Sequence, residues 1–441
     1  MARAQFCDNN DSLWWQRDAT YEPLPALRGT VSADIAIIGG GFTGVSTALH
    51  LAQRFPERRV VLLEARHLAY GASGRNGGLM LNWLGGSLPS DPIEARRVYD
   101  VTCSGIDLIE RLIQTYAPGT RYRRDGSLEL FTNARQADAA AAEVEQLQAV
   151  GVPLRFLSGQ TLAQVLDCAG VAGAVYDPRA GHLEGADYLR RLRPVLLAMG
   201  VAVYEGTPVT RIEEGRRLTL TTPAGTVQAG AGVLATNAYT PRLGYFRRQI
   251  VPLLAYVVAT PPYSPEAWVA AGWSPGLAGF HDDRGRVSYG CMTLDGRLVV
   301  GGGSNAAYHY AYGGQTSGKV TPTAAAAIRG CLLEYLPRAA QMTFSHQWAG
   351  PIGLTWQRIC AMGVRGDHRN LYYALGYSGH GITLSNLAGQ VLCDLYSGDD
   401  SRWRGLAFYD RPPAHLPGEP LRWVGYQAYT RLTGRSPRPR A

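Results

Sequence analysis

The chain has 441 residues, 46% of them hydrophobic and 18% charged, and its formal net charge is +8. This length and composition are typical of a globular protein with two domains, and the lack of any run of eighteen mainly apolar residues argues against a membrane span. The basic residues are scattered, which argues against nucleic-acid binding but leaves a field that attracts an anionic cofactor or substrate.

The numbers and positions of the cysteines and lysines limit which metal sites, disulfides and catalytic cations the chain can form. The seven cysteines are far apart and form no CxxC pair or His/Cys cluster, so we expect reduced thiols and no metal site. No N-terminal stretch has the charged and then apolar pattern of a leader peptide, and we therefore predict a cytoplasmic protein. Lys319 is the only lysine, so almost all of the positive charge is arginine.

Residues 34–64 form the first recognisable unit. The apolar stretch "DIAII" (Asp34–Ile38) predicts a buried strand, and "GGGFTG" (Gly39–Gly44, the first glycine turn) predicts a tight turn. Apolar residues at helical spacing follow until Pro56 ends the helix, and "VVLLE" (Val60–Glu64) predicts a second buried strand. Strand, turn, helix and strand in this order indicate the start of a parallel sheet.

Beyond this unit the pattern predicts helices, one hairpin and then antiparallel strands. The predicted elements are, in chain order, helices over 94–116, 136–150 and 188–199, a hairpin turning at Pro223–Gly225, antiparallel strands over 250–305 and a loop over 306–325. A strand, a glycine turn and a helix return over 371–396, and a short aromatic helix is predicted within the Pro/Arg-rich last forty residues.

The parallel sheet is therefore left and entered again along the chain. We predict an α/β fold in which a Rossmann-like, nucleotide-binding domain is interrupted by a mainly antiparallel-sheet substrate domain. The predicted limits are 1–92, 150–248 and 346–441 for the first domain, and 93–149 and 249–345 for the second.

Gly39, Gly41 and Gly44 match the GxGxxG pattern of dinucleotide-binding proteins, between a predicted strand and a predicted helix. The first glycine permits the tight turn, the second lets backbone N–H groups approach a pyrophosphate, and the third lets helix pack on strand. Glu64 ends the second strand 20 residues beyond Gly44, where a carboxylate accepts from ribose hydroxyls. The pattern predicts NAD or FAD; the alternative is a plain glycine turn beside an exposed glutamate.

A second glycine-rich stretch, "YGASGRNGG" (Tyr70–Gly78, the SGRNGG loop), follows that glutamate closely. So many glycines cost stability unless the backbone must approach something. The N–H groups of Ser73–Gly78 could hydrogen-bond the ribityl chain and ring of an extended dinucleotide, while Arg75 offers charge and Asn76 an amide. The alternative is a mobile surface loop.

A third glycine-rich segment, "GYSGHG" (Gly376–Gly381, the GHG turn), lies between the predicted strand "LYYAL" and a helix with one buried face. This helix would present a second electropositive N-terminus, far along the chain from the first. Two such ends suit a long cofactor, with the first at its pyrophosphate and the second at its redox ring. A flavin gains negative charge on reduction whereas nicotinamide loses its positive charge, so the second helix end favours FAD.

Three stretches together, "DIAIIGGGFTGVSTALHL", "LLEARHLAYGASGRNGG" and "GYSGHGITLSNLAGQ", resemble the D-amino-acid-oxidase-like (DAO) family of FAD-dependent oxidoreductases, most closely its branch of gamma-glutamylputrescine oxidases. The stretches "ATNAYT" (Ala235–Thr240) and "WAGPIGLTWQR" (Trp348–Arg358) extend the likeness over nearly the whole chain. The resemblance implies a glycine-oxidase-like fold, in which the flavin of a Rossmann-like FAD-binding domain meets a substrate domain near residues 250–345. It also implies FAD contacts from Gly39, Gly41, Gly44, Glu64, Arg66, Ser73, Gly74, Arg75, Asn76, Gly77, Val209, Gly376, Gly379, His380, Gly381, Ile382 and Thr383.

The resemblance further implies oxidation of a C–N bond in a small primary or secondary amine. A hydride passes from carbon to the flavin, the imine hydrolyses to an aldehyde or keto product, and O2 reoxidises the flavin. Oxidases of that branch promote the O2 step with a lysine, for which Lys319 is the sole candidate here. A dehydrogenase that uses a quinone or carrier, or a non-catalytic flavin subunit of a larger complex, therefore stays an alternative. No cysteine stands where some relatives attach flavin, so we expect non-covalent FAD.

Residues around the GHG turn bear on the substrate. Relatives that act on N-methyl amino acids carry a carboxylate-pairing lysine after this turn, where this chain has Thr383. We predict that Thr383 donates to the flavin or makes a neutral substrate contact. His380 is predicted as an active-site base or a hydrogen-bond partner of the flavin, unless only its backbone serves the ring. Thr355 and Arg358 are further candidates for substrate or flavin contacts.

The implied chemistry requires a pocket that binds an uncharged amine. An alkylamine has a pKa of about 10.4, and binding must lower it by about three units, which corresponds to about 4 kcal/mol. Burial among aromatic and neutral polar side chains lowers that pKa, whereas a nearby carboxylate raises it. We therefore predict pocket walls from Tyr377, Trp356, Tyr289 and Trp83, although aromatic residues more often fill cores. The many arginines leave an anionic substrate open.

Overall fold

A computed structural model describes residues 12–85, 88–310 and 320–432, so Cys7 and Lys319 lie outside the described residues. The helices are Leu13–Gln16 (α1), Phe42–Arg54 (α2), Pro92–Tyr116 (α3), Ala134–Ala149 (α4), Gly159–Ala163 (α5), Gly185–Ala198 (α6), Pro265–Ala271 (α7), Pro322–Tyr335 (α8), Ile382–Ser397 (α9) and Leu421–Leu432 (α10). The strands are Gly29–Ile38 (β1), Val60–Leu63 (β2), Leu79–Met80 (β3), Tyr122–Arg123 (β4), Ser127–Phe131 (β5), Arg155–Leu157 (β6), Gly173–Asp177 (β7), Gly181–Leu183 (β8), Ala202–Tyr204 (β9), Arg211–Glu213 (β10), Leu218–Thr221 (β11), Gly225–Leu234 (β12), Val251–Ala259 (β13), Gly279–Asp282 (β14), Ser288–Met292 (β15), Leu298–Gly302 (β16), Tyr308–His309 (β17), His346–Leu354 (β18), Ala361–Arg365 (β19) and Leu371–Leu375 (β20).

An eight-stranded sheet, in which β1 is central, forms one half of the fold. Its order is β10-β11-β12-β1-β2-β9, and β20 joins the carboxyl-terminal part of β12 with β19 beside it. The pairs β12–β1, β1–β2, β2–β9 and β12–β20 are parallel, whereas β10, β11 and β19 run antiparallel to their partners. The predicted α/β fold with a parallel sheet is therefore confirmed.

Helices α2 and α9 cover this sheet and touch each other closely. Helix α2 begins after Gly41 and ends ahead of Pro56, as the sequence predicts. The Ser46 hydroxyl of α2 donates to the Asn386 carbonyl of α9 at 2.5 Å. A side chain at Gly389 would begin 2.2 Å from the Ser46 hydroxyl, so only glycine permits this contact.

A second, nine-stranded sheet forms the other half. Its order is β17-β13-β16-β15-β14-β5-β7-β6, and β18 pairs with β13 along its whole length. Only the pairing of β14 with β5 is parallel among the pairs described for this sheet. One face packs on α8 around Trp268, Trp273 and Phe280, so the predicted mainly antiparallel second sheet is confirmed.

Several elements lie across the predicted domain limits. Strands β6 and β7 fall within the predicted nucleotide-binding segment 150–248, and β18 opens the segment 346–441, yet all three pair in the second sheet. Helix α3 was predicted in the substrate domain, but its apolar face shares a core with α2 and α9. The limits therefore need correction at these elements, because strand pairing here joins segments that are distant in sequence.

The predicted loop over 306–325 is wrong at both ends. Residues Tyr308–His309 form β17, and α8 begins at Pro322 within an alanine-rich run. The Thr321 hydroxyl caps this helix by accepting from the Ala324 N–H at 3.1 Å. In the described part of the chain no helix is both long and apolar enough to cross a membrane. The cytoplasmic location stays a prediction.

Gly44→Ala should destabilise the fold strongly. A Cβ at this position would lie 1.8 Å from the Gly39 carbonyl oxygen, which is backbone and cannot move aside. We expect a loss of about 3 kcal/mol or more in the free energy of unfolding, measured by urea denaturation. Gly276→Ala is the matched control because nothing lies within 4 Å of its added Cβ, and we expect a change within about 0.5 kcal/mol. Equal stability of the two variants would contradict this packing.

Candidate functional site

A cavity lies between the two sheets, at the carboxyl ends of β1, β2 and β12. This edge is where open α/β sheets bind ligands. The first glycine turn, the SGRNGG loop and the GHG turn all line it, although they are far apart in sequence. The opposite wall comes from β13, β15, β17 and β18 of the second sheet. The cavity therefore brings together the three glycine-rich segments that the sequence singled out.

The first glycine turn opens on the cavity through Gly39, Gly40 and Gly41. Gly39 has a φ of +112°, which favours glycine, and Gly41 is the N-cap of α2. Gly44 does not line the cavity, because it faces the Gly39 backbone and allows the helix to pack on the strand. The predicted contact from Gly44 to FAD is therefore corrected to a packing role.

Glu64 lies in the cavity at the end of β2 and is 8% exposed, so the alternative of an exposed strand-end glutamate is wrong. Its Oε2 accepts from the Gly40 N–H at 2.7 Å, and its Oε1 accepts from the Arg66 N–H at 2.9 Å. Burial raises the pKa of Glu64 to about 7, against the opposing effect of these backbone donors. Arg66 serves the carboxylate through its backbone, and its side chain lies outside the cavity lining.

The SGRNGG loop is a buried, fixed segment rather than a mobile surface loop. Arg75 is 1% exposed, and its guanidinium donates to the carbonyl groups of Tyr70 and Ala349, each at 3.0 Å. The same guanidinium lies 4.1 Å from the ring centroid of Trp15. Arg75 therefore braces the loop against β18 and also lines the cavity, and its contact with a ligand stays a prediction.

Asn76 and Ser73 set the shape of the same loop. The Asn76 amide donates to the Ser73 carbonyl at 2.9 Å and accepts from the Gly78 N–H at 2.9 Å. The Ser73 hydroxyl accepts from the Phe42 N–H at 3.0 Å, at the first residue of α2. Both residues line the cavity, whereas Gly74 lies behind it, where an added Cβ would meet the Ala69 carbonyl at 2.0 Å.

The N-terminal residues Ser12–Trp15 clamp this loop from outside. The Ser12 hydroxyl donates to the Gly74 carbonyl at 2.6 Å. The Trp14 indole N–H donates to the Asn76 carbonyl at 2.7 Å, and that of Trp15 donates to the Ala69 carbonyl at 3.3 Å. Two side chains of this short segment thus satisfy carbonyl groups of the SGRNGG loop, and a third satisfies the carbonyl group just before it.

Tyr377 joins the GHG turn to the first glycine turn. Its hydroxyl is hydrogen-bonded to the Thr43 hydroxyl at 2.7 Å, and both residues line the cavity. Gly379, with a φ of +101°, and Gly381, the N-cap of α9, also line it, together with Ile382. The starts of α2 and α9 therefore point into one cavity. Each start carries the partial positive charge of a helix N-terminus.

His380 lines the cavity within the GHG turn. Its Nε2 donates to the Leu84 carbonyl at 3.3 Å, which fixes the tautomer and leaves Nδ1 as an acceptor. Its ring centroid is 4.5 Å from that of Trp83, another lining residue. Burial lowers the pKa of His380 to about 4, and the charges of Arg358 and His281 act in the same direction. His380 is therefore a neutral imidazole at pH 7.

Tyr289 forms the wall beneath the SGRNGG loop. A Cβ at Gly77 would lie 2.3 Å from the Tyr289 ring, and one at Gly301 would lie 2.4 Å from its hydroxyl. Burial raises the pKa of Tyr289, so the phenol is protonated across the physiological range. Tyr289, Tyr377 and Trp83 therefore line the cavity, as the sequence predicts.

Other predicted residues lie elsewhere. Trp356 is 73% exposed and outside the lining, so its assignment to a pocket wall is wrong. Thr383 is buried, and its hydroxyl donates to the Leu81 carbonyl instead of facing the cavity. Gly376 also lies outside the lining, and its N–H donates to the Asn237 amide oxygen at 2.9 Å. Thr355 is buried and its hydroxyl donates to the Ile359 carbonyl at 2.9 Å. Arg358 and Val209 do line the cavity.

Sequence reasoning missed several lining residues. They include Thr43, Leu81, Asn237, Tyr239, Arg242, Arg286 and Tyr308. Asn237 and Tyr239 belong to "ATNAYT", which was noted only as a point of likeness. Nothing in the local pattern of the remaining residues indicates that they line a cavity.

The cavity fits an extended dinucleotide on the evidence of its donors. Both α2 and α9 begin after a glycine, so neither helix start carries an N-cap side chain, and at α2 only the Phe42 N–H is described as bonded to a side chain, the Ser73 hydroxyl. Gly41 has a φ of −89°, so its lack of a side chain is not required by backbone conformation. A glycine before each helix lets a ligand approach the backbone closely. This suits a phosphate at the start of α2 and a redox ring at the start of α9.

Comparison with known proteins gives the following likenesses. The family described as DAO, FAD dependent oxidoreductase, matches residues 34–395. The chain is 30% identical over 411 residues to gamma-glutamylputrescine oxidoreductase of Escherichia coli (strain K12), with 90% of this chain and 91% of that protein covered. It is 27% identical over 391 residues to "Probable oxidoreductase OrdL" of Haemophilus influenzae, covering 86% of each. The crystal structure of glycine oxidase from Geobacillus kaustophilus has a similar fold, with a TM-score of 0.71 at 22% identity over 86% of this chain and 96% of that one.

His380→Gln should remove a source of acid instability. The folded-state pKa of His380 is about 4 and the unfolded value is about 6.5. The unfolded chain therefore binds the extra proton first, and wild-type stability falls as pH drops from about 6.5 towards 4. We expect the wild-type melting temperature to fall more than that of the variant between pH 7 and pH 5, measured on equally FAD-loaded samples. Parallel pH profiles would contradict a neutral buried imidazole.

Proposed function

Because the chain belongs to the DAO family of FAD-dependent oxidoreductases, we propose that it oxidises a C–N bond of a small primary or secondary amine. The observation that carries this proposal is that two helix starts, far apart in sequence, open on one cavity whose other wall is largely aromatic and aliphatic. FAD, when bound, supplies the redox ring that accepts a hydride from the carbon next to the nitrogen. Hydrolysis of the resulting imine gives the aldehyde or keto product.

The residues that would hold FAD come from both glycine turns and the loop between β2 and β3. We assign the amide groups at the start of α2 to the pyrophosphate, Glu64 to a ribose and Val209 to the adenine. We assign the SGRNGG loop and the start of α9 to the flavin end. No cysteine is among the described lining residues, and this supports non-covalent binding.

The substrate end of the cavity supports an uncharged amine. Glu64 is the only carboxylate among the described lining residues, and it belongs to the first sheet. The wall from the second sheet carries Tyr289, Tyr308, His281 and Arg286 and no acid among the described residues. An ammonium placed beside these groups loses hydration and meets positive charge, so its pKa falls and the lone pair becomes available.

His380 contributes as a neutral group on this proposal. Its Nε2–H is committed to the Leu84 carbonyl, which orients the ring and leaves Nδ1 able to accept a proton or hydrogen bond. The paired hydroxyls of Thr43 and Tyr377 hold the GHG turn against α2 and thereby fix the position of the imidazole. A similar protein is named gamma-glutamylputrescine oxidoreductase, and that name supports an amine as the substrate class.

FAD binding and amine oxidation can be tested together. We expect the purified, FAD-loaded protein to be yellow and to lose its flavin absorbance when a substrate amine is added without oxygen. Gly41→Ala should weaken FAD binding by about tenfold or more, because the added Cβ would lie 2.7 Å from the Ser73 hydroxyl, which accepts from the Phe42 N–H, and so would disturb the start of α2. Gly276→Ala, far from the cavity lining, should bind FAD like the wild type. A protein that refuses added FAD, or that no amine in a broad panel bleaches, would contradict the proposal.

We propose O2 as the acceptor, and its role has a separate test. The lining cations described on the substrate side are arginines, and the only lysine lies outside the described residues. Stopped-flow mixing of amine-reduced protein with oxygen should give reoxidation faster than that of free reduced FAD. A rate no faster than that of free flavin would favour a dehydrogenase that uses a quinone or carrier.

A further inference from the structure

Two tryptophans hold the SGRNGG loop from behind, on the side away from the cavity. The Trp14 indole N–H donates to the Asn76 carbonyl at 2.7 Å, and the Trp348 indole N–H donates to the Arg75 carbonyl at 2.8 Å. The two tryptophans are 2% and 0% exposed, and neither is among the described residues that line the cavity. Their ring centroids are 6.0 Å apart in an edge-to-face arrangement. Helix α1 and β18 thus form one support behind the loop.

The planarity of the peptide bond decides where the N–H groups of this loop point. Both peptide bonds that the indoles hold are trans, so the C=O of one residue and the N–H of the next point in opposite directions. The N–H groups of Asn76 and Gly77 therefore point away from the indoles. Both residues line the cavity, and neither N–H group makes a hydrogen bond within the part of the chain that the structure describes. Two adjacent backbone donors are thus presented to the cavity.

The neighbouring N–H groups of the loop are already used. The Gly74 carbonyl accepts from the Ser12 hydroxyl at 2.6 Å, but the Arg75 N–H of that peptide group donates to the Ala72 carbonyl at 3.2 Å. The Gly78 N–H donates to the side-chain amide oxygen of the same loop at 2.9 Å. Only the two peptide groups that the indoles hold therefore leave an N–H for a ligand among the described N–H groups from Arg75 to Gly78.

Resting on the proposed function, we propose that Trp14 and Trp348 are positioning residues that aim these two N–H groups at the bound flavin and thereby raise its reduction potential. The amine carbon loses a hydride and becomes the imine carbon, and the ring gains one negative charge because a hydride carries two electrons and one proton. Backbone donors aimed at the ring stabilise its reduced form more than its oxidised form. The indoles hold these donors in place before the charge develops.

The reduction potential of the FAD-loaded protein tests this assignment and requires no substrate. Trp14→Phe keeps an aromatic ring but removes the indole N–H, and Trp348→Phe does the same at the other peptide group. We expect each variant to bind reduced FAD about tenfold more weakly relative to oxidised FAD, which corresponds to a potential lower by about 30 mV for two electrons. Redox titration against a reference dye measures this shift. A role in stability alone would weaken the binding of both forms alike and leave the potential unchanged.

Two control variants separate this effect from a loss of stability. Trp273→Phe removes an indole N–H that donates to the Leu277 carbonyl at 3.0 Å, from a residue 1% exposed in the core of the second sheet. Ser12→Ala removes a bond to the loop carbonyl whose peptide N–H is already used. We expect both controls to be less stable than the wild type and to keep its potential. A fall in either control as large as that in Trp14→Phe would overturn the assignment.

Hydrogen exchange of the wild type provides a test that does not depend on the folding of any variant. Addition of FAD should slow exchange at the Asn76 and Gly77 amides by at least about tenfold, because the flavin then occupies their free side. The Arg75 amide should change less, since it is bonded before FAD is added. Mass spectrometry with fragmentation to single residues measures these rates. Unchanged exchange at Asn76 and Gly77 in the FAD-loaded protein would overturn the proposal.

The outcomes separate this inference from the proposed function. If the protein binds no FAD, the proposed function fails and this inference fails with it. If FAD binds but no amine bleaches it, amine oxidation is overturned while the potentials still decide the role of the tryptophans. If amines are oxidised and both tryptophan variants keep the wild-type potential, only the assignment of Trp14 and Trp348 is overturned.

Discussion

The close contact between α2 and α9 is the constraint on which the site depends. Ser46 and Asn386 join the two helices across 340 residues of sequence, and Gly389 leaves no space between them. The hydroxyl pair Thr43–Tyr377 continues this contact up to the helix starts. Because both helices also pack on one parallel sheet, their N-termini must open at the same edge. The cavity follows from this geometry, and the second sheet only has to close it.

Two arginines that line this cavity, Arg75 and Arg286, lie in different surroundings. The guanidinium of Arg75 donates to two backbone carbonyl groups and stacks on the Trp15 ring, so it supports the cavity wall. Arg286 lies among tyrosine rings, yet one of its nitrogens is buried and makes no hydrogen bond in the described structure. The difference lies in what surrounds each guanidinium rather than in the residue type.

Features that depend on neighbouring residues could be predicted from the sequence. Features that depend on contacts between distant segments could not. The turn after β1, the position of Glu64 and the helix after the GHG turn follow from glycine placement and apolar spacing, and the structure contains all three. Trp356 and Thr383 were misplaced because spacing does not say to which side of a turn or helix start a side chain points. The domain limits failed because β18 pairs with β13, a partner that local pattern does not identify. Arg286 gave no signal, since its environment is completed by α10 near the other end of the described chain.

The clamp formed by Ser12–Trp15 bears on how the protein is made. Ribosomal synthesis delivers this clamp and its loop early, so the hydrogen bonds from Ser12 and Trp14 can form while most of the chain is still untranslated. The brace from Arg75 to Ala349 spans 274 residues, and α9 follows later still. The nucleotide pocket is therefore completed only when translation is nearly finished. Because the GHG turn and α9 come after the other two glycine-rich segments, we expect FAD to bind only late in biogenesis.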